Sequence, residues 1–181
     1  MFLLDDGGLV LSPSDLANAA ACEFAVLRNL DGRLGLAEPA PIAADAMLER
    51  VSALGTAHEN RVLQAYQASQ RVVTIARPRY DAASERAALE GVHASTLAAL
   101  GSSTTDVVYQ AGFFDGRFTG WADFVVREPD GWSVLDTKLA RSVKVTALLQ
   151  LAAYADQLIT AGIPTTSEVH LILGDRSRSS R

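Results

Sequence analysis

A chain of 181 residues, 49% of them hydrophobic, can bury one proper core and has room for little more. Its formal net charge of −5 excludes a protein that coats nucleic acid by bulk electrostatics, though not an enzyme that grips a few phosphates locally. A single cysteine, Cys22, rules out an internal disulfide and fits a reducing cytoplasm, and no apolar run reaches the ~18 residues of a membrane span.

The opening Met1-Phe2-Leu3-Leu4-Asp5-Asp6 has neither the basic start nor the apolar length of a secretion signal, so a cytoplasmic location is expected. Ser12-Pro13-Ser14-Asp15 is a cap-like start for a helix over residues 12–30, which stops at Asp31-Gly32. A Pro/Ala-rich connector with Pro39 and Pro41 follows. From residue 45 to about 69, Met47, Leu48, Val51, Leu54, Val62, Leu63 and Tyr66 recur at helical spacing and predict a long amphipathic helix. Residues 71–76 read as a short strand, and 81–100 as an Ala-rich helix ending at Gly101. Three strands over 107–114, 117–127 and 132–139 form a meander, turning at Asp115-Gly116 and at Glu128-Pro129-Asp130-Gly131. A helix over 144–161 is stopped by Gly162 and Pro164, and 168–173 is a last strand. Residues 175–181 are a polar tail with no evident partner.

This order predicts an α/β domain. Its centre is a mixed sheet, a three-stranded antiparallel meander plus a parallel strand brought in by the crossover helix, with helices flanking it. Residues 1–44 would be a helical segment packed on a core of residues 45–175, with 176–181 a tail that marks a truncation.

Charge is placed unevenly. Of 16 cationic residues only Lys138 and Lys144 are lysines, and with Arg141 they fall in a stretch free of carboxylates between Asp136 and Asp156. Arginine keeps its proton, whereas lysine as a residue type can take part in proton chemistry. Lys138 therefore reads as functional, while Lys144 reads better as a surface lysine.

The second hairpin can be registered by arithmetic. A type I turn over Glu128-Pro129-Asp130-Gly131 pairs its first and last residues. Counting back, Asp123 falls opposite Asp136, where like charges face each other ~5 Å apart and destabilise the pair. Lys138 shares the face of Asp136 because strand side chains alternate. Either the face is solvated and Lys138 neutralises it, or a hard divalent cation accounts for the pair. Trp121, Val125, Trp132 and Val134 share that face, which favours the second reading. On the following helix Gln150 and Tyr154 are four apart and share one face of a stretch whose only other polar residue is Thr146. His58 lies between Leu54 and Val62, inward on the long helix; taken alone it reads as a satisfied core histidine. Glu59 follows, but position 62 is not histidine, so this is no zinc-protease motif.

Gly55-x-x-His58-Glu59, Gly120-x-x-Asp123, Asp136-Thr137-Lys138 and Gln150-x-x-x-Tyr154, in that order, resemble the RecB-like branch of the PD-(D/E)xK nucleases. The stretch Ser14-Asp15-Leu16 through Cys22 looks like the same branch. Its members include AddB nuclease domains, CRISPR-associated exonucleases and bacterial nuclease domains that head a longer protein with a helicase motor. The resemblance implies a restriction-endonuclease-like core and a Mg²⁺- or Mn²⁺-dependent deoxyribonuclease, acting on single-stranded ends in DNA repair or recombination. It implies His58, Asp123, Asp136 and the Thr137 carbonyl as metal ligands, and Lys138 as the group that orients or deprotonates water. Gln150 and Tyr154 would position the DNA backbone or support Lys138, Arg141 and Lys144 would contact nucleic acid, and Glu59 would support the metal through a water or face solvent.

Two departures matter. Relatives often hold a four-iron cluster with four cysteines, and only Cys22 is present, so no cluster is expected. No phosphate loop of the G-x-x-x-x-G-K-[ST] type occurs, so a helicase motor would have to be elsewhere. Two rival readings are a non-catalytic nucleic-acid-binding or scaffold module that retains the fold, and a hydrolase of another phosphate-containing substrate.

Overall fold

Glu128 pairs with Gly131 across the Pro129-Asp130 turn, as the turn chemistry requires, and this pairing sets the centre of the sheet. The computed structural model describes residues 1–38, 46–78, 85–174 and 178–180. The meander is β4 (Val107–Phe114), β5 (Thr119–Glu128) and β6 (Gly131–Lys138), antiparallel throughout. Helix α5 (Val145–Thr160) then crosses over and returns the chain as β7 (His170–Leu173), parallel to β6. On the other side β3 (Val72–Thr74) lies parallel to β4, the two joined through α4 (Glu85–Gly101). The expected α/β architecture, a mixed sheet flanked by helices, is the one observed.

The meander builds a core on each face of the sheet, its alternation changing phase at Gln110 and Asp123. Val108, Ala111, Val125, Trp132 and Val134 face α4 and α5 and meet Leu100, Leu151 and Leu158. Val107, Phe124, Val126 and Leu135 face the other way, against Val62, Leu63 and Tyr66 of α3 (Ala46–Gln67). Leu151 and Leu158 are fully buried, and each such side chain contributes about 1.5–3 kcal/mol of transfer free energy. α5 is therefore locked to the sheet by its apolar positions, which fixes where its few polar side chains point.

Several expectations need correction. The helix predicted over 12–30 is two helices, α1 (Pro13–Ala21) and α2 (Glu23–Arg33), because Cys22 between them is extended at φ −163° and ψ 102°. α1 begins where Asp15 Oδ2 accepts from the Ser12 N–H at 2.8 Å and its hydroxyl at 2.6 Å, and it packs on α5. α2 buries nothing: Phe24 is 69% and Leu27 58% exposed, so its apolar residues do not hold it to the core. Val51 and Leu54 of α3 are likewise exposed, and only the C-terminal half of that helix reaches the sheet.

The tail also has a partner. Arg178–Ser180 forms β8, antiparallel to β7, and Arg178 reaches Glu128 at 3.3 Å. Its polar residues hid a strand that pairs through the backbone ladder, with Ser180 Oγ also 2.9 Å from His170 Nδ1. A short hairpin of β1 (Phe2–Leu3) and β2 (Leu9–Val10) was not anticipated. The Pro39/Pro41 connector, residues 81–84 of the fourth helix, and residues 175–177 and 181 of the tail lie outside the described residues.

Candidate active site

The β5–β6 ladder runs from Glu128↔Gly131 to Phe124↔Leu135 and opens one step later, where Asp123 and Asp136 stand. The cause is local. The Thr137 N–H and hydroxyl both donate to Asp123 Oδ2, each at 2.8 Å, in place of a ladder bond. The arithmetic register is thus right in count, but the two carboxylates occupy a splayed rung rather than a paired one.

Asp136 is 5% exposed. Lys138 Nζ stands 2.7 Å from its Oδ2 as an ion pair, without the angles of a hydrogen bond, so this buried oxygen has no hydrogen-bonding donor. Burial raises the proton affinity of both carboxyls. For Asp123, burial and then the Asp136 charge push the pKa up to about 6, against the opposing Thr137 donors and Lys138. For Asp136, burial acts upward while Lys138 opposes it. Two close, desolvated carboxyls therefore share one site in which both ionise unwillingly.

Tyr154 on α5 is buried beside them. Its hydroxyl is held well above the usual phenol range by burial and then by the Asp136 charge, and the Trp121 backbone lies within its hydrogen-bonding reach. The approach of this ring explains the glycine of the Gly120-x-x-Asp123 motif. A Cβ at Gly120 would stand 2.7 Å from Tyr154 Cε1 and 2.9 Å from the Pro13 ring, so only glycine lets α1 and α5 close over β5. Gln150, one turn before Tyr154, lines a cavity of about 200 Å³ with Lys138 and Lys144. Arg141 and Lys144 are exposed on the connection from β6 to α5, whose first turn carries no acidic residue.

His58 lies on the inner face of α3. It is 2% exposed, and its Nε2 lies 3.2 Å from the Ile172 carbonyl across the α3 face of the sheet. Among the described residues, no three His, Cys, Asp or Glu side chains stand together at metal-holding spacing. The next residue, Glu59, faces the aspartates instead: burial and then the Asp123 charge raise its carboxyl, and it acts electrostatically on Asp136 as well. Its partners Tyr109, Gln110 and Arg77 were not singled out from sequence. The strand register would have found one of them, because the rungs on either side, Tyr109↔Phe124 and Ala111↔Ala122, leave Gln110 opposite Asp123.

The residues present fit a hard divalent cation. Two facing carboxylates, one with a buried oxygen lacking a donor, are what such an ion requires, and Mg²⁺ commonly takes one or two carboxylates and fills the rest with water and substrate phosphate. Asp123 and Asp136 would hold it.

The chain matches the family model described as the PD-(D/E)XK nuclease superfamily over residues 10–168. No curated protein matches it.

Proposed function

Since the chain belongs to the PD-(D/E)XK nuclease superfamily, we propose that it is a divalent-metal-dependent deoxyribonuclease of the RecB-like branch, hydrolysing single strands from their ends in DNA repair or recombination. Nucleases of this superfamily generally use divalent metal ions. The observation that carries the reading is the splayed Asp123/Asp136 rung with Lys138 Nζ 2.7 Å from the buried Oδ2 of Asp136. The order of the four motifs along the chain supports the RecB-like assignment.

When bound, Mg²⁺ or Mn²⁺ supplies an activated water and offsets the charge that builds on the phosphate. The chain's own groups do the rest. Asp136 anchors Lys138, whose ammonium would orient the attacking water and the scissile phosphate. Thr137 fixes Asp123 by two bonds to one oxygen, which leaves the other oxygen to serve as ligand. A carbonyl can only accept, so His58 donates from Nε2, which makes Nδ1 the nitrogen that would face a metal. His58 and the Thr137 carbonyl would then complete the ligand set. Tyr154 and Gln150 position the scissile phosphate beside Lys138, and Arg141 and Lys144 take the flanking phosphates at the rim. A helicase motor, if it works with this nuclease, would deliver the strand.

Purified protein incubated with Mn²⁺ and end-labelled or circular single- and double-stranded DNA tests the reading, with Asp136→Ala as the paired control. Mononucleotide release from linear single strands, absent in the variant, is expected. A protein that retains the fold but binds no Mn²⁺ by calorimetry and cuts nothing would be a non-catalytic module, and the reading would fall.

A further inference from the structure

Glu59 is held by groups that no motif assigns. The Tyr109 hydroxyl donates to Glu59 Oε1 at 2.9 Å, and Gln110 Nε2 donates to the same oxygen at 2.5 Å. The Gln110 Oε1 accepts in turn from Arg77 Nε at 3.1 Å and Nη2 at 2.7 Å. The amide can only sit this way round, because a guanidinium offers donors alone and an ionised carboxylate acceptors alone. Arg77 is itself stacked over the Trp121 ring, 5.0 Å from its centroid. The chain of contacts therefore runs from β5 through Arg77 and Gln110 to Glu59.

The backbone is bent to make this possible. Gln110 has φ 55°, the one non-glycine residue with positive φ among those described, although a long side chain disfavours that region. The rungs before and after it are intact, so the twist is confined to the residue opposite Asp123. The amide bonds Arg77 on one side and Glu59 on the other, so the guanidinium reaches the carboxylate through a neutral group. A neutral relay fixes Glu59 while leaving its charge.

We propose that Gln110, set by Arg77, is a positioning residue that holds Glu59 as an outer carboxylate, receiving a proton donor such as a metal-bound water on the side of Asp123 and Asp136. Glu59 does not touch the metal. It orients the water shell, and Gln110 orients Glu59. This rests on the nuclease reading above.

The experiment combines Mn²⁺ titration by calorimetry, single-strand cleavage and thermal unfolding on wild type, Glu59→Gln, Gln110→Gly, their double variant, Arg77→Ala and Asp136→Ala. Gln110→Gly removes the amide while suiting the left-handed backbone, so the fold and its melting temperature are kept. About tenfold weaker Mn²⁺ binding is expected for both Glu59→Gln and Gln110→Gly, the scale of outer-shell effects, with a smaller loss in Arg77→Ala. The double variant should be no worse than either single, since both remove one interaction. Wild-type Mn²⁺ affinity in Gln110→Gly, or effects that simply add in the double variant, would overturn the inference while an inactive Asp136→Ala leaves the nuclease reading standing. A wild type that binds no Mn²⁺, or an Asp136→Ala that cuts normally, would overturn both.

Discussion

Thr137 donates its N–H and its hydroxyl to the same oxygen of Asp123, each at 2.8 Å. The first of these bonds uses a backbone group that would otherwise continue the β5–β6 ladder. The site is thus made where the sheet stops pairing, and what holds Asp123 still is the same contact that holds the strands apart.

Carboxyls whose folded-state pKa lies above the ordinary 3.8 stabilise the metal-free protein when protonated. For Asp123 that stability is fully present below about pH 4 and is lost as pH rises through about 6. Asp136→Asn should therefore raise the melting temperature of metal-free protein at pH 7 by roughly 2–4 °C, on the order of 1 kcal/mol, while abolishing Mn²⁺ binding. Wild-type Mn²⁺ affinity should climb roughly tenfold per pH unit below 6 and level off above 7, because the ion displaces a proton. A flat affinity from pH 5 to 7, read by calorimetry, would show that the two carboxyls do not act as a pair.

Lys138→Ala and Lys138→Arg should each lower cleavage by about 10²–10³-fold, the range for a lost charge-stabilising donor, with far smaller changes in Mn²⁺ affinity. Arginine keeps the charge, but its planar fork cannot set the compact donor of an ammonium on the water. Wild-type turnover in the arginine variant would remove the water-orienting role.

The two motif glycines should respond oppositely to alanine. Gly55 has nothing within 4 Å of an added Cβ and lies inside α3, so Gly55→Ala should stabilise by about 0.5–1 kcal/mol. Gly120→Ala drives a methyl to 2.7 Å from the Tyr154 ring and should destabilise by about 1–3 kcal/mol. Denaturant midpoints of the two variants check this, and equal shifts would contradict the close packing at Gly120.

α2 should exchange its amide hydrogens first. It has no buried residue and leans on α1, whose Pro13 and Asp15 are buried. Hydrogen exchange should show α2 opening well below the global unfolding free energy. Cys22→Ser, at an exposed position, should change stability by less than about 0.5 kcal/mol. Protection in α2 equal to that of β5 would mean something else covers Phe24 and Leu27.

Period-two alternation and one Pro-Asp-Gly turn were enough to read the meander, its register and the Asp123/Asp136 opposition from residues alone. The apolar run and two polar residues of α5 were equally legible, because burial leaves few places for Gln150 and Tyr154 to point. Other features were not. Spacing shows that Phe24, Leu27 and Leu54 share helix faces, but it cannot say whether anything covers them, and here they are exposed. β8 pairs through backbone groups that every residue carries, so Arg178–Ser180 had no side-chain signal. Gln110 is least legible of all: its left-handed backbone is imposed by contacts with Arg77 and Glu59, against the preference of its residue type.

Both lysines of this chain line one cavity, that of Gln150 beside the carboxylates. An amine-directed reagent therefore meets a protein whose reactive nitrogens are concentrated at one address. Mild acylation or reductive methylation should modify Lys138 and Lys144 almost exclusively, giving a product of defined stoichiometry by mass spectrometry. Bound Mn²⁺ and a short oligonucleotide should shield Lys138, so the same mass shift becomes a footprint of substrate. The handle comes from the use of arginine for every other cationic side chain.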